Sequence, residues 1–354
     1  MDSSTVIGIA KKFISEPKIF TTIFNEKTEH DESTEVIKTA KELDGKLFKI
    51  LIKPDDVLDN FENFNEFSDE PCATITQMMH KIVSTKLKKM GFNLIFSGLG
   101  GDEAHCGEIE EYLYYFADLK FLELEEKFNE DLVGWKKYHS TKEYPKNKKI
   151  LNIFFNSQIN FSKQGEVLLN NERYEYNFDI LNRDIEINDI IKPKLRNPFK
   201  SYLLNKLYQD LYFEAIPVVL KAEMASARSA KIPTVYPYLD PNIMNFSFSL
   251  PLKFRYNNGI SKYFLREITK NIVPNTARKN YLKKGWNAPF DQWLRKKIKS
   301  EILDLINSQD ARNRGIYNLT AIKKKLDQHL KNEKNYAMLL WQFLSYEKWY
   351  QSWK

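Results

Sequence analysis

The chain has 354 residues, of which 42% are hydrophobic and 29% are charged, and its formal net charge is +7. This balance is that of a globular protein and excludes wholesale disorder, and the length suggests one large domain or two closely joined lobes. No apolar run reaches the roughly 18–20 residues of a membrane span, and the first residues lack the features of a secretory signal. The sequence therefore predicts a cytoplasmic protein that does not enter a membrane.

Cysteine usage and the distribution of charge argue against two further classes. Cys72 and Cys106 have neither the spacing of a disulfide framework nor that of a C-x-x-C metal site. The lysines are scattered through helical stretches, and no RNA- or DNA-reading motif accompanies them. We therefore expect solvated helix faces and an anionic nucleotide substrate, and no binding to nucleic acid.

The first 110 residues alternate between helical and extended patterns. Helices are predicted over residues 5–14, 33–43 and 73–90, and strands over residues 18–24, 46–52 and 93–96. The helix at 73–90 is the clearest, because its apolar residues recur at helical spacing. The last strand is predicted to be short and buried. Alternation of this kind indicates parallel strands with right-handed crossovers.

The pattern changes after about residue 108. Long helices are predicted over residues 112–128, 202–220, 261–271 and 321–349. Residues 147–189 are polar and irregular. The predicted fold class is α/β, with a parallel-sheet nucleotide-binding lobe at residues 1–110 and a mostly helical part at residues 111–354 that closes over it.

A glycine-rich segment, Ser97-Gly98-Leu99-Gly100-Gly101-Asp102-Glu103, follows the last predicted strand. In open parallel sheets, ligands bind beyond the carboxyl ends of the strands. The glycines allow the backbone to approach a ligand and present N–H groups to phosphate oxygens, and the two acids suit Mg²⁺. The alternative is a tight turn that places both acids in the first turn of the next helix.

Other segments accompany this loop along the chain. They are Asp2-Ser3-Ser4, Asp69-Glu70-Pro71, Pro237-Tyr238-Leu239-Asp240, Ser249-Leu250-Pro251, Ser261-Lys262-Tyr263, Lys283-Lys284-Gly285-Trp286 and Leu340-Trp341. Together they resemble, in order and over essentially the whole chain, the C-terminal synthetase domain of the asparagine synthetase family. That resemblance implies an adenine nucleotide alpha hydrolase-like fold with a pyrophosphate (PP) loop, whose S-G-G-x-D-S-S motif would end in Asp2-Ser3-Ser4.

The resemblance also implies a two-step reaction with ATP and Mg²⁺ as cofactors. A carboxylate, by default the side chain of aspartate, attacks the α-phosphate to give an acyl-AMP and pyrophosphate. Ammonia then displaces AMP and leaves an amide. Such chemistry needs cations around the pyrophosphate and a pocket that keeps water from the acyl-AMP.

By resemblance, the nucleotide site draws its residues from three parts of the chain. Asp2 and Asp102 would hold Mg²⁺ on the phosphates. Thr22 would lie against the adenine. The ATP-binding residues implied in this way are Asp2, Ser3, Thr22, Ser97 and Gly98.

Two catalytic residues are implied as well. Lys283 would neutralise charge at the α-phosphate and the leaving pyrophosphate, for which a compact ammonium is suited. The residue pattern by itself also allows a solvated lysine there. Glu103 is either a residue that supports the Mg²⁺ ligands or a helix-start carboxylate. His105 and Cys106 are expected to be a packed histidine and a buried thiol, not nucleophiles.

Departures from the family pattern leave the activity open. The chain carries no glutaminase domain with its N-terminal cysteine nucleophile, so ammonia is expected from solution or from a separate glutaminase. The Ser-Gly-Gly of the PP-loop and its preceding central strand are also absent, and we expect a start codon assigned too late or a truncated gene. A degenerate homologue without catalysis is the alternative.

The acceptor and the assembly are open too. Leu99 stands where the family has an acid, and Val235-Tyr236 replaces an Arg-Val pair. These changes question aspartate as the acceptor, since relatives amidate other carboxylates such as sugar acids. A homodimer is one arrangement that the sequence leaves undecided.

Overall fold

The structure, a computed structural model, describes residues 1–28, 31–139, 177–182, 196–282 and 285–353. Its described part is a mixed α/β fold, mostly helical with small parallel sheets, as expected from the strand and helix patterns. The first part of the chain contains α1 (Asp2–Ala10), β1 (Lys18–Ile23), α2 (Ser33–Glu42), β2 (Lys46–Leu51), α3 (Pro54–Asn65), α4 (Ile75–Lys89), β3 (Ile95–Phe96), α5 (Gly101–His105), α6 (Glu111–Phe121) and α7 (Glu125–Tyr138).

The second part is almost entirely helical. It contains α8 (Tyr202–Tyr212), α9 (Ala215–Ala230), β4 (Thr234–Val235), α10 (Pro241–Ser249), α11 (Leu252–Arg255), α12 (Tyr263–Ile268), α13 (Asn275–Arg278), α14 (Phe290–Leu294), α15 (Ile298–Asn307), α16 (Gln309–Arg314), α17 (Leu319–Leu330) and α18 (Ala337–Ser352). Short 3-10 turns lie at Phe178–Ile180 and Pro237–Leu239.

The described strands form two separate parallel pairs. Strand β1 pairs with β2, with Lys18 opposite Lys46, and β3 pairs with β4, with Ile95 opposite Thr234. Parallel pairing is confirmed, but within the described chain the two pairs are not hydrogen-bonded to each other. Residues of β1 and of β3 line one common cavity.

The prediction that strand 93–96 is buried is wrong at two positions. Leu94 is 47% exposed and Phe96 is 56% exposed. The reason is that β3 has β4 as its single strand neighbour in the described structure. A short apolar run is typical of a strand covered on both sides, which requires a strand neighbour on each side, and the described residues place only β4 beside β3.

One hydrophobic cluster joins the two halves of the chain. It includes Phe61 from α3 and Trp341 from α18, whose rings stack with centroids 5.4 Å apart. The indole N–H of Trp341 donates to the carbonyl oxygen of Cys72 at 2.8 Å. The C-terminal helix is therefore anchored against the helices that precede the glycine-rich loop. The domain boundary at residue 110 stays a prediction.

Several helix boundaries differ from the sequence-based ones. The long helices predicted at 112–128, 202–220 and 321–349 are each divided in two, and α3 was not predicted at all. Glu123 and Asn332 adopt left-handed backbone angles, with φ of 56° and 59°, which end a helix. Pro217 would lie in the interior of a continuous helix 202–220, where it would remove a backbone hydrogen bond. In the structure it lies in the first turn of a new helix, α9.

Most of the polar stretch predicted to be irregular, residues 147–189, lies outside the described residues. In the parts of the chain that are described, we find no helix of the length and apolarity that a membrane crossing demands.

Buried Asp118 attaches α6 to the start of α8. Its carboxylate accepts hydrogen bonds from the backbone N–H of Tyr202 at 2.7 Å and of Leu203 at 3.2 Å, and from the Ser201 hydroxyl at 2.6 Å. Asp118 is 3% exposed, so these donors have no access to water as a substitute. The carboxylate therefore caps α8 from a distant part of the chain.

Asp118→Ala is expected to lower the free energy of unfolding by about 2–4 kcal/mol, because it leaves helix N-terminal donors buried without an acceptor. Urea denaturation followed by circular dichroism measures the change. Asp304→Ala, at an exposed position of α15, is the matched control and should change stability by less than about 0.5 kcal/mol. Equal effects of the two substitutions would contradict the capping role.

Candidate functional site

The start of α1 and the glycine-rich loop after β3 pack directly against each other. A Cβ atom added to Gly98 would lie 2.7 Å from the backbone nitrogen of Ser3, and one added to Gly101 would lie 2.6 Å from Cγ of Asp2. Both distances are too short for a side chain, so glycine is required at the two contacts. The fold thus brings together two segments that the sequence separates widely.

The loop turns sharply at Gly100 before α5 begins. Gly100 has φ of 87°, a left-handed conformation that favours glycine, and it caps the helix Gly101–His105. Asp102 and Glu103 therefore lie in the first helical turn, as the alternative interpretation of the loop predicted. Both acids also line the cavity, so this helical position does not remove them from the candidate site.

Lys262 lies between the two carboxylates proposed as metal ligands. Its ammonium donates to Asp2 and lies 2.6 Å from Oδ1 of Asp102. Lys262 is 5% exposed. Burial, the largest single influence, would raise the pKa of Asp2, but the charge and hydrogen bond of Lys262 together with the charge of the N-terminal amino group hold that pKa below its usual value. The two like charges are thus held together by one buried cation.

The space around this bridge is tightly limited. A Cβ atom on Gly107 would lie 2.5 Å from Cε of Lys262, so a side chain at position 107 would displace the lysine. Lys262 belongs to the Ser261-Lys262-Tyr263 motif and directly precedes α12, and its bridging role was not predicted from the sequence. The motif marks Lys262 as a candidate residue, but its role as a bridge follows only from the closeness of Asp2 and Asp102 in the fold.

The donor set fits a magnesium ion bound together with phosphates. Oδ1 of Asp2 is buried and has no hydrogen-bond partner. In the described chain no group of three or more His, Cys, Asp or Glu residues is arranged to hold a metal. Two carboxylates suffice for Mg²⁺, which usually takes one or two from the protein and completes its shell with water and substrate phosphates.

A cavity of about 2570 Å³ opens next to these groups. It is lined by the predicted site residues Ser3, Thr22, Ser97, Gly98, Asp102 and Glu103. Asp2 does not line it, and its link to the cavity is indirect: its side chain is bonded to Lys262, which also lies 2.6 Å from Oδ1 of the cavity-lining Asp102. Lys283 lies outside the described residues, whereas Gly285 and Trp286, shortly after it, line the cavity.

Thr22, at the end of β1, is held by Trp286. The indole N–H of Trp286 donates to the Thr22 hydroxyl at 2.9 Å, and Thr22 is buried. The segment after Lys283 therefore reaches the strand end where the adenine was expected.

Glu103 has an unusual acidity. Burial, with a contribution from the neighbouring charge of Asp102, raises the pKa of Glu103 to about 7. This carboxyl group can therefore hold or release a proton near neutral pH. Its place in the first turn of α5, next to Asp102, is compatible with both roles considered for it, support of the metal ligands and a helix-start carboxylate.

His105 and Cys106 are packed residues, as predicted. Both are buried, burial lowers the pKa of His105 to about 4, and burial raises the pKa of the Cys106 thiol to about 12. A thiol with that pKa is inert as a nucleophile at neutral pH. Cys72 and Cys106 are both free, buried cysteines.

A second polar cluster on the cavity wall was not predicted. Glu223 in α9 accepts a hydrogen bond from the Tyr236 hydroxyl, and its Oε1 lies 3.2 Å from Nδ1 of His80 in α4. The ring of His80 packs edge-on against Trp286, with centroids 4.6 Å apart. No motif joins these residues, and Tyr236, which departs from the family pattern, was the one sequence feature that pointed to this part of the site.

Comparison with known proteins gives two findings. A family model described as Asparagine synthase matches residues 1–351 of the chain. The chain is also similar to asparagine synthetase (glutamine-hydrolyzing) 1 of Bacillus subtilis (strain 168), with 22% identity over 374 aligned residues. That match covers 99% of this chain and 54% of the relative, so the chain spans about half the length of this curated protein.

Lys262→Met is expected to lower the free energy of unfolding by about 3–5 kcal/mol, because it leaves the carboxylates of Asp2 and Asp102 facing each other without a cation. MgCl₂ should restore part of that loss, and should raise the melting temperature of the variant more than that of the wild type. Thermal and urea unfolding with and without MgCl₂ measure both effects. Lys270→Met, at an exposed position near α12, is the control; a Lys262→Met protein as stable as this control would contradict the bridge.

Glu103→Gln is expected to change how stability depends on pH. Glu103 binds its proton more tightly in the folded chain than in the unfolded chain, so its contribution to stability falls as pH rises from 4.5 to about 7. Glutamine cannot ionise, and the variant should gain on the order of 2–3 kcal/mol relative to wild type across that range.

Urea unfolding at pH 4.5 and at pH 8 measures this difference for Glu103→Gln. The exposed Glu126→Gln in α7 should leave the pH profile unchanged. A constant difference between Glu103→Gln and wild type at the two pH values would show that Glu103 is not a buried acid.

Proposed function

Because the chain belongs to the asparagine synthase family, we propose that it is a ligase that uses ATP to convert a carboxylate to an amide, with aspartate as the default acceptor. The observation that carries this proposal is the meeting of Asp2 and Ser3 with the glycine-rich loop, where Asp2 and Asp102 share the ammonium of Lys262. Asp2, Ser3 and the loop would together form the cradle of a PP-loop fold.

The proposed reaction has two steps. In the first, a carboxylate oxygen of the acceptor attacks the α-phosphorus of ATP, a new P–O bond forms, and the bond to the β-phosphate oxygen breaks to release pyrophosphate. In the second, the nitrogen of ammonia attacks the acyl carbon, the bond to the AMP oxygen breaks, and the nitrogen loses a proton. The products are an amide, AMP and pyrophosphate.

The chain's own residues would bind and orient the nucleotide. Ser3, Ser97 and the backbone of Gly98 are suited to the phosphates, since close backbone approach is already required at Gly98. Thr22 would contact the adenine side. Asp2 and Asp102 would hold Mg²⁺, which when bound neutralises charge on the phosphates. Lys283 would stabilise negative charge at the α-phosphate and at the leaving pyrophosphate.

Ammonia would come from outside the described chain. The Bacillus subtilis relative is named as glutamine-hydrolyzing, and this chain spans about half of its length. We propose that a glutaminase domain or subunit, or free ammonia, supplies the nitrogen. The cavity walls would then limit access of water to the acyl-AMP.

A second candidate is amide formation on a different carboxylate, such as a sugar acid. Two observations favour considering it. Leu99, where the family carries an acid, lines the cavity, and Tyr236, where the family pattern differs, is bonded to the buried Glu223. The acceptor side of the site therefore differs from the family pattern in chemistry, while the phosphate side keeps Asp2-Ser3-Ser4 and the glycine-rich loop.

A pyrophosphate-release assay tests the proposal on the protein in the form that its own gene produces. With Mg²⁺ and ATP, release should require a carboxylic acid, and AMP should accumulate in equal amount when ammonium is added. Aspartate should be compared with glutamate and with glucuronate. Release without any acid, or no release with any acid, would contradict the proposal; the second result is expected of a catalytically inactive homologue.

Matched variants assign the roles within this assay. Lys283→Gln should lower kcat by at least about 100-fold, because it removes charge stabilisation that is needed in the transition state. Lys284→Gln is the adjacent control and should retain most activity. Asp102→Asn should raise the Mg²⁺ concentration needed for half-maximal rate. Equal effects at positions 283 and 284 would remove Lys283 from the mechanism.

A further inference from the structure

Glu223 is a carboxylate placed in a setting that disfavours its charge. It lies in α9 and is 4% exposed. One of its oxygens, Oε2, accepts a hydrogen bond from the Tyr236 hydroxyl. The other, Oε1, is buried without a hydrogen-bond partner, although Nδ1 of His80 lies 3.2 Å away. A buried carboxylate oxygen without a hydrogen-bond partner destabilises the folded chain unless a ligand binds to it.

Charge balance around Glu223 is incomplete. Within the described chain its sole ion-pair partner is His80, and no lysine or arginine pairs with it. Burial lowers the pKa of His80 to about 4, so the imidazole is neutral at physiological pH. Burial also raises the pKa of Glu223 to about 7, as expected of a carboxyl group without a cation. A cation brought by a ligand would favour the ionised form.

The cluster faces the same cavity as the nucleotide residues. His80, Glu223 and Trp286 line it together with Ser97 and Gly98. Its volume of about 2570 Å³ exceeds the roughly 300–1,000 Å³ that holds one drug-sized ligand. The cavity therefore has room for a nucleotide and for a second substrate beside it.

We propose that His80, Glu223 and Trp286 form a subsite for an ammonium group of the second substrate. A buried carboxylate oxygen with an open acceptor position binds such a group directly, and the adjoining aromatic rings favour a cation over a neutral hydroxyl. The ammonium has two sources in the proposed reaction: the amine of an acceptor that is an amino acid, and ammonia itself. This inference rests on the proposed function and names the chemical class that its acceptor side selects.

Tyr236 has a positioning role in this subsite. Its hydroxyl donates to Oε2 of Glu223 and so fixes the carboxylate with Oε1 left for the ligand. Trp286 connects the subsite to the nucleotide side, because its indole N–H donates to Thr22 at 2.9 Å while its ring contacts His80. Binding of the ammonium group would thus occur at a fixed distance from the nucleotide.

Ligand-observed NMR with matched acids tests the subsite. L-aspartate is compared with succinate, and L-glutamate with glutarate, since each pair differs by one amine. Wild type should bind the amino acids at least about 10-fold more tightly than their amine-free partners, as expected for one bond between charged groups. Glu223→Gln should abolish the preference while keeping an acceptor for Tyr236. In a separate arm, competition by ammonium chloride identifies ammonia as the occupant.

Controls exclude a general structural effect. Glu267→Gln, an exposed position on α12, should behave as wild type in every arm. Tyr236→Phe should weaken the preference less than Glu223→Gln, since it removes the group that positions the carboxylate and leaves the carboxylate itself. ATP affinity should be unchanged in Glu223→Gln.

Two results would overturn the inference. One is equal binding of amino acids and amine-free acids by wild type, without competition from ammonium chloride. The other is a preference that survives in Glu223→Gln. Failure of the proposed function is distinguishable, because it appears as absent pyrophosphate release and leaves these binding measurements unaffected.

Discussion

The candidate site depends on one buried ammonium group held between two carboxylates. Asp2 and Asp102 come from the start of the chain and from the loop after β3, and their like charges would repel each other without Lys262. The glycines at 98 and 101 allow the two segments to touch, and Gly107 leaves space for the lysine. This arrangement keeps two acids close together beside the glycine-rich loop, where we propose that a divalent cation and phosphates bind.

The surrounding fold supports this arrangement from both halves of the chain. Trp341 joins the C-terminal helix to α3 and to the backbone of Cys72, and Asp118 fixes the start of α8. The two parallel strand pairs end at the same cavity, with β1 leading to Thr22 and β3 to Ser97. Ligand sites beyond the carboxyl ends of parallel strands are a general consequence of this topology.

Two carboxyl groups with raised pKa values, Glu103 and Glu223, line the cavity. Glu103 stands next to the proposed metal ligands, and burial with the charge of Asp102 raises its pKa. Glu223 belongs to the cluster with His80 and Trp286. Burial raises its pKa, and within the described chain no lysine or arginine pairs with its charge. The first environment is suited to exchange of a proton beside the proposed phosphate site, and the second to the proposed recognition of a cation.

The sequence by itself determined the mixed α/β class, the strands β1, β2 and β3, and the glycine-rich loop with its two acids. These features follow from local patterns, since helical periodicity and glycine spacing depend on neighbouring residues. Only the tertiary structure decided that Lys262 joins Asp2 to Asp102, that Glu223 meets His80 and Tyr236, and that Leu94 and Phe96 are exposed. Such contacts connect residues far apart in the chain, and burial and charge balance exist only once those residues have met.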